Sequence, residues 1–315
     1  MTRGITYLRH EQIDRRKWDR CIEEAINGHV YAWSWYLDSV CDQWDAMVEG
    51  DYDSVFPLPW RSRMGIRYVY QPPFTQQLGL FTRGQSGGER LNAFLDALPA
   101  HFRLTEIQLN AYNRPSHPAY SVRMRPNLVM DLIPPYEIIS GGYSQNLKRH
   151  VRKAAASGWI ITEDVKPSRL IRLFRENRGR ELKTLNDRDY ERLERLTAEC
   201  SKRACLHLLG SGPGGGEPDA GVIFAESHGK LVLLFSATGP EARQQAAMAA
   251  LIDYMIRKHA GKNLVLDFEG SEDPGMAQFY GSFGAVASPY PFIRKNSLGP
   301  FTRFAAGIFK PSLRR

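Results

Sequence analysis

Between Cys205 and Thr238 the chain carries three short runs rich in branched and aromatic residues, "CLHLLGS", "AGVIFAES" and "LVLLFSAT". A long helical pattern follows, "PEARQQAAMAALIDYMIRKHA", and then another apolar run, "NLVLDFEG". This order restricts the fold more than any other feature. Runs of this length and composition, bounded by Gly and Pro, read as strands. The helical pattern places Met248, Leu251, Ile252 and Met255 on one buried side. Antiparallel strands that lead into a helix and a further strand make a mixed α/β unit.

The segments around this core extend the pattern. A strand is expected at "WIITED", with helices at "PSRLIRLFREN" and "RDYERLERLTAECSKR" between it and the three runs. After it come a short helix, "PGMAQFYGSFG", and a last strand, "SPYPFIRK". The first half follows a similar plan. "GITYLRH" reads as a strand, and "EQIDRRKWDRCIEEAIN" and "YAWSWYLDSVCDQW" as helices. "DAMVEGD", "SVFPLPWRSR" and "RYVYQPPFTQQLGLF" read as antiparallel strands, "GGERLNAFLDALPAHF" as a helix, and "LTEIQLNA" and "NLVMDL" as strands. With 315 residues, two α/β units of similar plan are expected, 1–135 and 136–315, divided near Pro134-Pro135.

Composition narrows the function classes. No run approaches the roughly 18 apolar residues of a membrane helix, so no integral membrane segment is expected. The start, "MTRGITYLRHEQIDRRKWDR", has no apolar core with a cleavage site, and Cys21, Cys41, Cys200 and Cys205 form no C-x-x-C pair. A cytoplasmic protein without a disulfide framework or a metal is therefore expected. The net charge of +8 favours anionic partners without choosing among them. A nucleic-acid binder is one candidate, but no zinc-finger, RRM-type or helix-turn-helix signature supports it.

Several stretches have both a chemical and a plain structural reading. "GSGPGGGEPDAG" resembles a phosphate loop in composition only. No Gly-Lys-Ser/Thr follows it, and its flanks read as strands, so a hairpin tip is expected. In "SQNLKRHVRKAAASG", Arg149, Arg152 and Lys153 share a helix face with Lys148 beside it. That face suits phosphate or carboxylate, or is simply solvated. Arg243, Gln244 and Gln245 stand at the start of the long helix, where free backbone N–H groups face an anion, or where an ordinary amphipathic helix begins. Asp267 and Glu269 end an apolar strand, Gly270-Ser271 break it, and Pro274 opens a short helix carrying Phe279 and Tyr280. Glu269 is either a working carboxylate or a cap for the next turn; Tyr280 is either a reactive phenol or a core aromatic.

These stretches, in this order, resemble the GNAT-type acyltransferases and, within them, the FemAB-like branch. "MAQFYGSFGA" is similar to the GNAT helix in which a small residue precedes an aromatic-Tyr pair and Gly follows the Tyr by four residues. "SQNLKRHVRKAAASG" and "DFEGS" followed by "FYGSFGA" resemble FemAB-like runs. "YAWSWYLDSVCDQW", "FPLP" and "YQPPFTQQLGLF" look like a bacterial subgroup of that branch. The resemblance implies two tandem GNAT-like domains, each a mixed, mostly antiparallel sheet flanked by helices, with the acceptor held between them. It implies an acyltransferase that moves an acyl or aminoacyl group onto an amine or hydroxyl. Tyr280 and Glu269 take catalytic roles: Tyr280 protonates the leaving group and Glu269 orients or deprotonates the amine. An oxyanion-binding backbone N–H lies near Phe235-Ser236. Ser236, Arg243, Gln244 and Gln245 are expected at the donor, and Lys148, Arg149, Arg152 and Ser271 at the acceptor. The acceptor is a small-molecule or peptidoglycan-precursor-like anion. The donor is acyl-CoA as co-substrate, or aminoacyl-tRNA. The phosphate turn reads "EARQQAAM", with alanines where the family has glycines, and alanine restricts close backbone approach to a pyrophosphate. A non-catalytic binding module for an anionic ligand on a degenerate GNAT fold is thus a second expectation.

Overall fold

The computed structural model describes residues 4–85, 87–182, 185–214, 216–270 and 272–298. The chain falls into two compact units, residues 1–126 with 289–315, and residues 127–288.

The first unit opens with β1 (Ile5–Leu8), α1 (Arg15–Glu24), α2 (Ser34–Val40), β2 (Trp44–Glu49), β3 (Ser54–Arg63), β4 (Ile66–Val69), β5 (Phe81–Thr82), α3 (Gly88–Asp96), β6 (Phe102–Gln108) and β7 (Ser121–Arg125). Asp14 caps α1 by accepting from the N–H groups of Arg16 and Lys17. The helix then turns Trp18, Cys21 and Ile22 inward, and the Trp18 and Trp44 rings lie 5.0 Å apart. Among the described residues, "YQPPFTQQLGLF" is largely irregular. Its two prolines remove ladder donors, and only Phe81 begins a strand.

The second unit contains β8 (Leu128–Asp131), α4 (Tyr136–Gly141), α5 (Gln145–Ala156), β9 (Trp159–Thr162), α6 (Pro167–Glu176), α7 (Arg178–Leu182), α8 (Asp187–Lys202), β10 (Leu206–Pro213), β11 (Ala220–Ser227), β12 (Lys230–Thr238), α9 (Pro240–Gln244), α10 (Ala247–His259), β13 (Val265–Asp267), α11 (Pro274–Gly281) and β14 (Val286–Ala287). The chain then returns to the first unit with β15 (Tyr290–Asn296).

The first sheet runs β1-β2-β3-β4-β6-β15-β7, with β5 beside β3; the second runs β14-β8-β13-β12-β11-β10-β9. Neighbours are antiparallel except for one parallel pair in each sheet, β4 with β6 and β12 with β13. Each parallel pair is joined through helix, α3 in the first unit and α9 with α10 in the second, as a parallel crossover requires. The expectation of two mixed, mostly antiparallel sheets with helices therefore holds in both units. The division differs from the expected 135. β8 pairs with β13 and so belongs to the second sheet, while "SPYPFIRK" forms β15 between β6 and β7 of the first. Among the described residues no helix is long and apolar enough to cross a membrane.

The core of the second unit lies between its sheet and the α5/α10 layer. Leu209, Val222, Phe224, Leu231 and Leu233 of the strands meet Leu147 of α5 and Leu251, Ile252, Met255 and Ile256 of α10. Asp253 is buried on α10 and accepts from the hydroxyls of Tyr136 at 2.8 Å and Tyr143 at 3.0 Å, which fixes α4 and the start of α5 on α10. "GSGPGGGEPDAG" joins β10 to β11 as the expected hairpin tip, with Gly215 outside the described residues.

Candidate active site

The central parallel pair is short. β13 pairs with β12 only from Lys230–Val265 to Val232–Asp267, whereas β12 continues to Thr238. On that side the stretch Leu233–Thr238 has no strand partner among the described residues. The cause is visible in the β11–β12 register: Ile223 faces Phe235 and Phe224 faces Leu233, so Leu234 is the extra residue of a β-bulge. A bulge bends its strand and adds twist. The bend follows directly on the last β13 pairing, and the two strands part there. An unpaired strand edge presents backbone N–H groups to whatever occupies the fork. Ser236, half-buried, lies on this edge.

The other arm of the fork is the turn after β13. Asp267 is buried, and its carboxylate accepts from Asn127 Nδ2 at 3.0 Å and from the Glu269 N–H at 2.9 Å. Burial raises its pKa, against the two hydrogen bonds and the nearby Lys230 ammonium. The Asn127 side-chain oxygen accepts from the Gly270 N–H at 2.6 Å. Asn127 thus clamps the turn from the strand side. A Cβ at Gly270 would stand 2.4 Å from the Asn127 Cα, so only glycine fits this approach. Glu269 adopts a left-handed conformation, φ 51°, which a non-glycine residue holds at a cost of roughly 1–2 kcal/mol. The Asp267 bond to its N–H helps hold it there.

Tyr280 lies on α11, whose start is capped by Asp273 accepting from Gly275 and Met276. Its ring stacks on Phe268 at 4.9 Å and packs beside Phe279 at 5.6 Å. The residue is buried, with 5% of its surface exposed. Burial first, and the Glu269 carboxylate second, push its pKa up. Glu269 lies two residues past the last β13 pairing, and Tyr280 stacks on Phe268 of the same turn. Of the plain readings, Tyr280 packs in the aromatic core as expected, while the cap of the next helix is Asp273 rather than Glu269. Ser271 lies outside the described residues.

The expected long helix at Pro240–Ala260 is two helices. α9 ends at Gln244, and Ala246 takes a left-handed conformation, φ 56°, as the N-cap of α10 with no side-chain cap. The start of α9 already carries an anion. Asp219 reaches across from the β11 side, and its carboxylate accepts from the Ala242 N–H at 2.9 Å. Gly239 leaves the room for it, since a Cβ there would lie 1.9 Å from the Asp219 Oδ1. The N–H groups expected to face a donor phosphate right after β12 are thus partly taken by the protein's own carboxylate. Arg243 and Gln244 are exposed on α9, and Gln245 is half-buried in the break.

Helix α5 presents its basic side chains outward, but two are engaged locally. Lys148 donates to the Gly141 carbonyl at 2.8 Å and Arg149 to Asn146 Oδ1 at 2.7 Å, while Arg152 is exposed. None of the three bonds to Glu269 or Tyr280 among the described residues. Asn127, Asp219 and the bulge at Leu234 had no signal in the sequence. Each acts through a partner far along the chain, and a bulge depends on register.

Residues 142–274 match the family model described as the acetyltransferase (GNAT) domain. Solved structures share the fold across nearly the whole chain. One is FemX, with a TM-score of 0.66 at 12% identity over 96% of this chain and 99% of that one. L-PGS from Bacillus licheniformis gives 0.59 at 13% identity over 96% and 98%. A conserved protein of unknown function from Bacteroides thetaiotaomicron VPI-5482 gives 0.58 at 12% identity over 89% and 96%. No curated protein matches the chain in sequence.

Proposed function

We propose, on the premise that this chain carries a GNAT-type acetyltransferase domain within a FemX-like fold, that it is an acyltransferase moving an acyl or aminoacyl group onto an amine or hydroxyl acceptor. One observation carries this reading: β12 and β13 part after Val232 and Asp267, and the turn that follows β13 carries Glu269 and packs Phe268 against Tyr280. A carbonyl seated in the fork meets backbone N–H groups of the Leu233–Thr238 edge, which stabilise the oxyanion of the tetrahedral intermediate. The Glu269 carboxylate takes the proton from the attacking amine. Tyr280, its pKa raised, keeps its proton at neutral pH and hydrogen-bonds the charge that develops on the leaving group. Full transfer is favoured for a leaving alkoxide of a tRNA ester. For a thiolate, a weaker base than this phenolate, the contribution is the hydrogen bond itself. Ser236 and Gln245 are assigned to the donor, and Arg149 and Arg152 to an anionic acceptor, of the peptidoglycan-precursor kind.

Purified protein assayed with a panel of acyl-CoAs and with charged tRNA tests the reading. Tyr280→Phe and Glu269→Gln are each expected to lower kcat by roughly 10²–10⁴-fold, the usual range for a lost proton-transfer group. Product formed at a rate that neither change lowers would reject the assigned roles.

The Asp219 carboxylate at α9 favours one second reading, a binding module for an anionic ligand that has lost catalysis. It is distinguished by a thermal shift with anionic ligands and no turnover with any donor.

A further inference from the structure

Three side chains that the acyl-transfer reading does not use converge where β10 and β11 meet the last turn of α10. His207 on β10 and Glu226 on β11 lie on one sheet face, because His207 pairs with Phe224 and Glu226 is two residues further along the same strand. Phe224 looks into the core under α10, and His259 in the last turn of α10 comes down onto the same spot. His207 Nε2 lies 2.9 Å from Glu226 Oε2, His259 Nε2 lies 3.9 Å from that oxygen, and the three atoms all fall within 4.8 Å of one another.

The hydrogen bonding of His259 fixes how its ring faces this cluster. Its Nδ1 lies 3.0 Å from the Met255 carbonyl, which can only accept, so Nδ1 carries the hydrogen. The ring is 1% exposed. Nε2 is therefore the ring nitrogen turned to the Glu226 carboxylate oxygen, across a gap too long for a hydrogen bond. A cation in that gap satisfies both. The Nδ1–H bond to a backbone carbonyl is the outer-shell contact that fixes a metal-bound imidazole in orientation and tautomer.

We propose that His207, Glu226 and His259 form a binding site for a divalent zinc-class ion, ligated through His207 Nε2, Glu226 Oε2 and His259 Nε2. Two imidazoles and one carboxylate are a donor set that suits zinc, at about 2.0–2.2 Å per bond, with a fourth position left for water. The ligand atoms already lie within 4.8 Å of one another, so small side-chain movements bring them to that geometry. His207 ligates through Nε2 as the tautomer that carries its hydrogen on Nδ1. His207 and Glu226 are 22% and 39% exposed at their side chains, which leaves an entry path. The ion ties the β10–β11 pair to the C-terminal turn of α10. Val232, the last β12 residue paired with β13, faces Ala225, the neighbour of Glu226 on β11.

The test uses the full chain without a polyhistidine tag, stripped with a chelator and titrated with Zn²⁺ by calorimetry, and with Co²⁺ by visible absorption. One equivalent is expected to bind, with the d–d bands of tetrahedral cobalt and a rise in Tm. His207→Ala and the isosteric Glu226→Gln should each weaken binding at least about 10-fold, the scale already seen for outer-shell losses. Far-UV circular dichroism checks their fold, and Glu226→Gln decides if His207→Ala does not fold. Absence of binding to the wild-type chain, or binding that both folded variants leave unchanged, overturns the site.

Discussion

Asp267 sits at the end of β13 with its carboxylate fully enclosed, and burial favours its neutral form. Its folded pKa therefore lies above its unfolded value of 3.8. In the window between the two, the folded state holds a proton that the unfolded state has released. Stability contributed by this group is complete below the unfolded pKa and is lost as pH rises through the folded one. The slope reaches at most about 1.4 kcal/mol per pH unit inside that window. Asp267→Asn keeps an acceptor for Asn127 and Glu269 and removes the titration. Urea unfolding from mild acid to neutral pH is expected to show wild type losing ground to Asp267→Asn as pH rises; a constant difference between them contradicts the buried acid. At this scale the sequence was partly legible. Glu269 and Tyr280 follow from strand-end and helix positions. Asn127 does not, because it meets Gly270 and Asp267 only after the chain has folded, and neither the left-handed φ of Glu269 nor that of Ala246 has a local cause in residue type.

The elements divide along similar lines. Strands β10, β11 and β12 and helices α6 and α8 appear where hydrophobic period and turn residues place them. The break between α9 and α10 does not, since Gln245, Ala246 and Ala247 are all compatible with a continuous helix and alanine is the best helix former. α9 survives as a separate turn because its start is held from outside. Gly239 has no side chain to cap it, and Asp219 supplies the carboxylate instead. Asp219→Ala removes that acceptor and is expected to cost about 1–2 kcal/mol, as other lost N-caps do. In a scan this lowers the Tm of the second unit by about 2–4 °C per kcal/mol. Asp219→Asn retains an oxygen for the Ala242 N–H and should stay near wild type. Equal Tm values for Asp219→Ala and wild type would show that α9 does not depend on this cap.

For the molecule as a whole, the tandem plan was readable from the repeated order of elements, but the path of the chain between the units was not. A strand such as "SPYPFIRK" carries no mark of which sheet it will join, because pairing depends on an edge far away in sequence. The structure makes the second unit an insertion between β7 and β15, two antiparallel neighbours in which Arg125 faces Tyr290. The ends of the insertion meet: the Ser288 N–H donates to the Asn127 carbonyl at 2.9 Å. Residues 127–288 can therefore be excised at little geometric cost, and an Asn-Gly link between Pro126 and Pro289 closes β7 and β15 into a hairpin. The excised piece and the rejoined remainder are each expected to unfold cooperatively in urea, as units with their own cores do. Residues 1–126 alone should not, since without β15 both β6 and β7 lose an inner neighbour and expose unpaired edges. A cooperative transition from residues 1–126 alone, or none from the rejoined chain, would show that β15 does not complete the first sheet in the way its register implies.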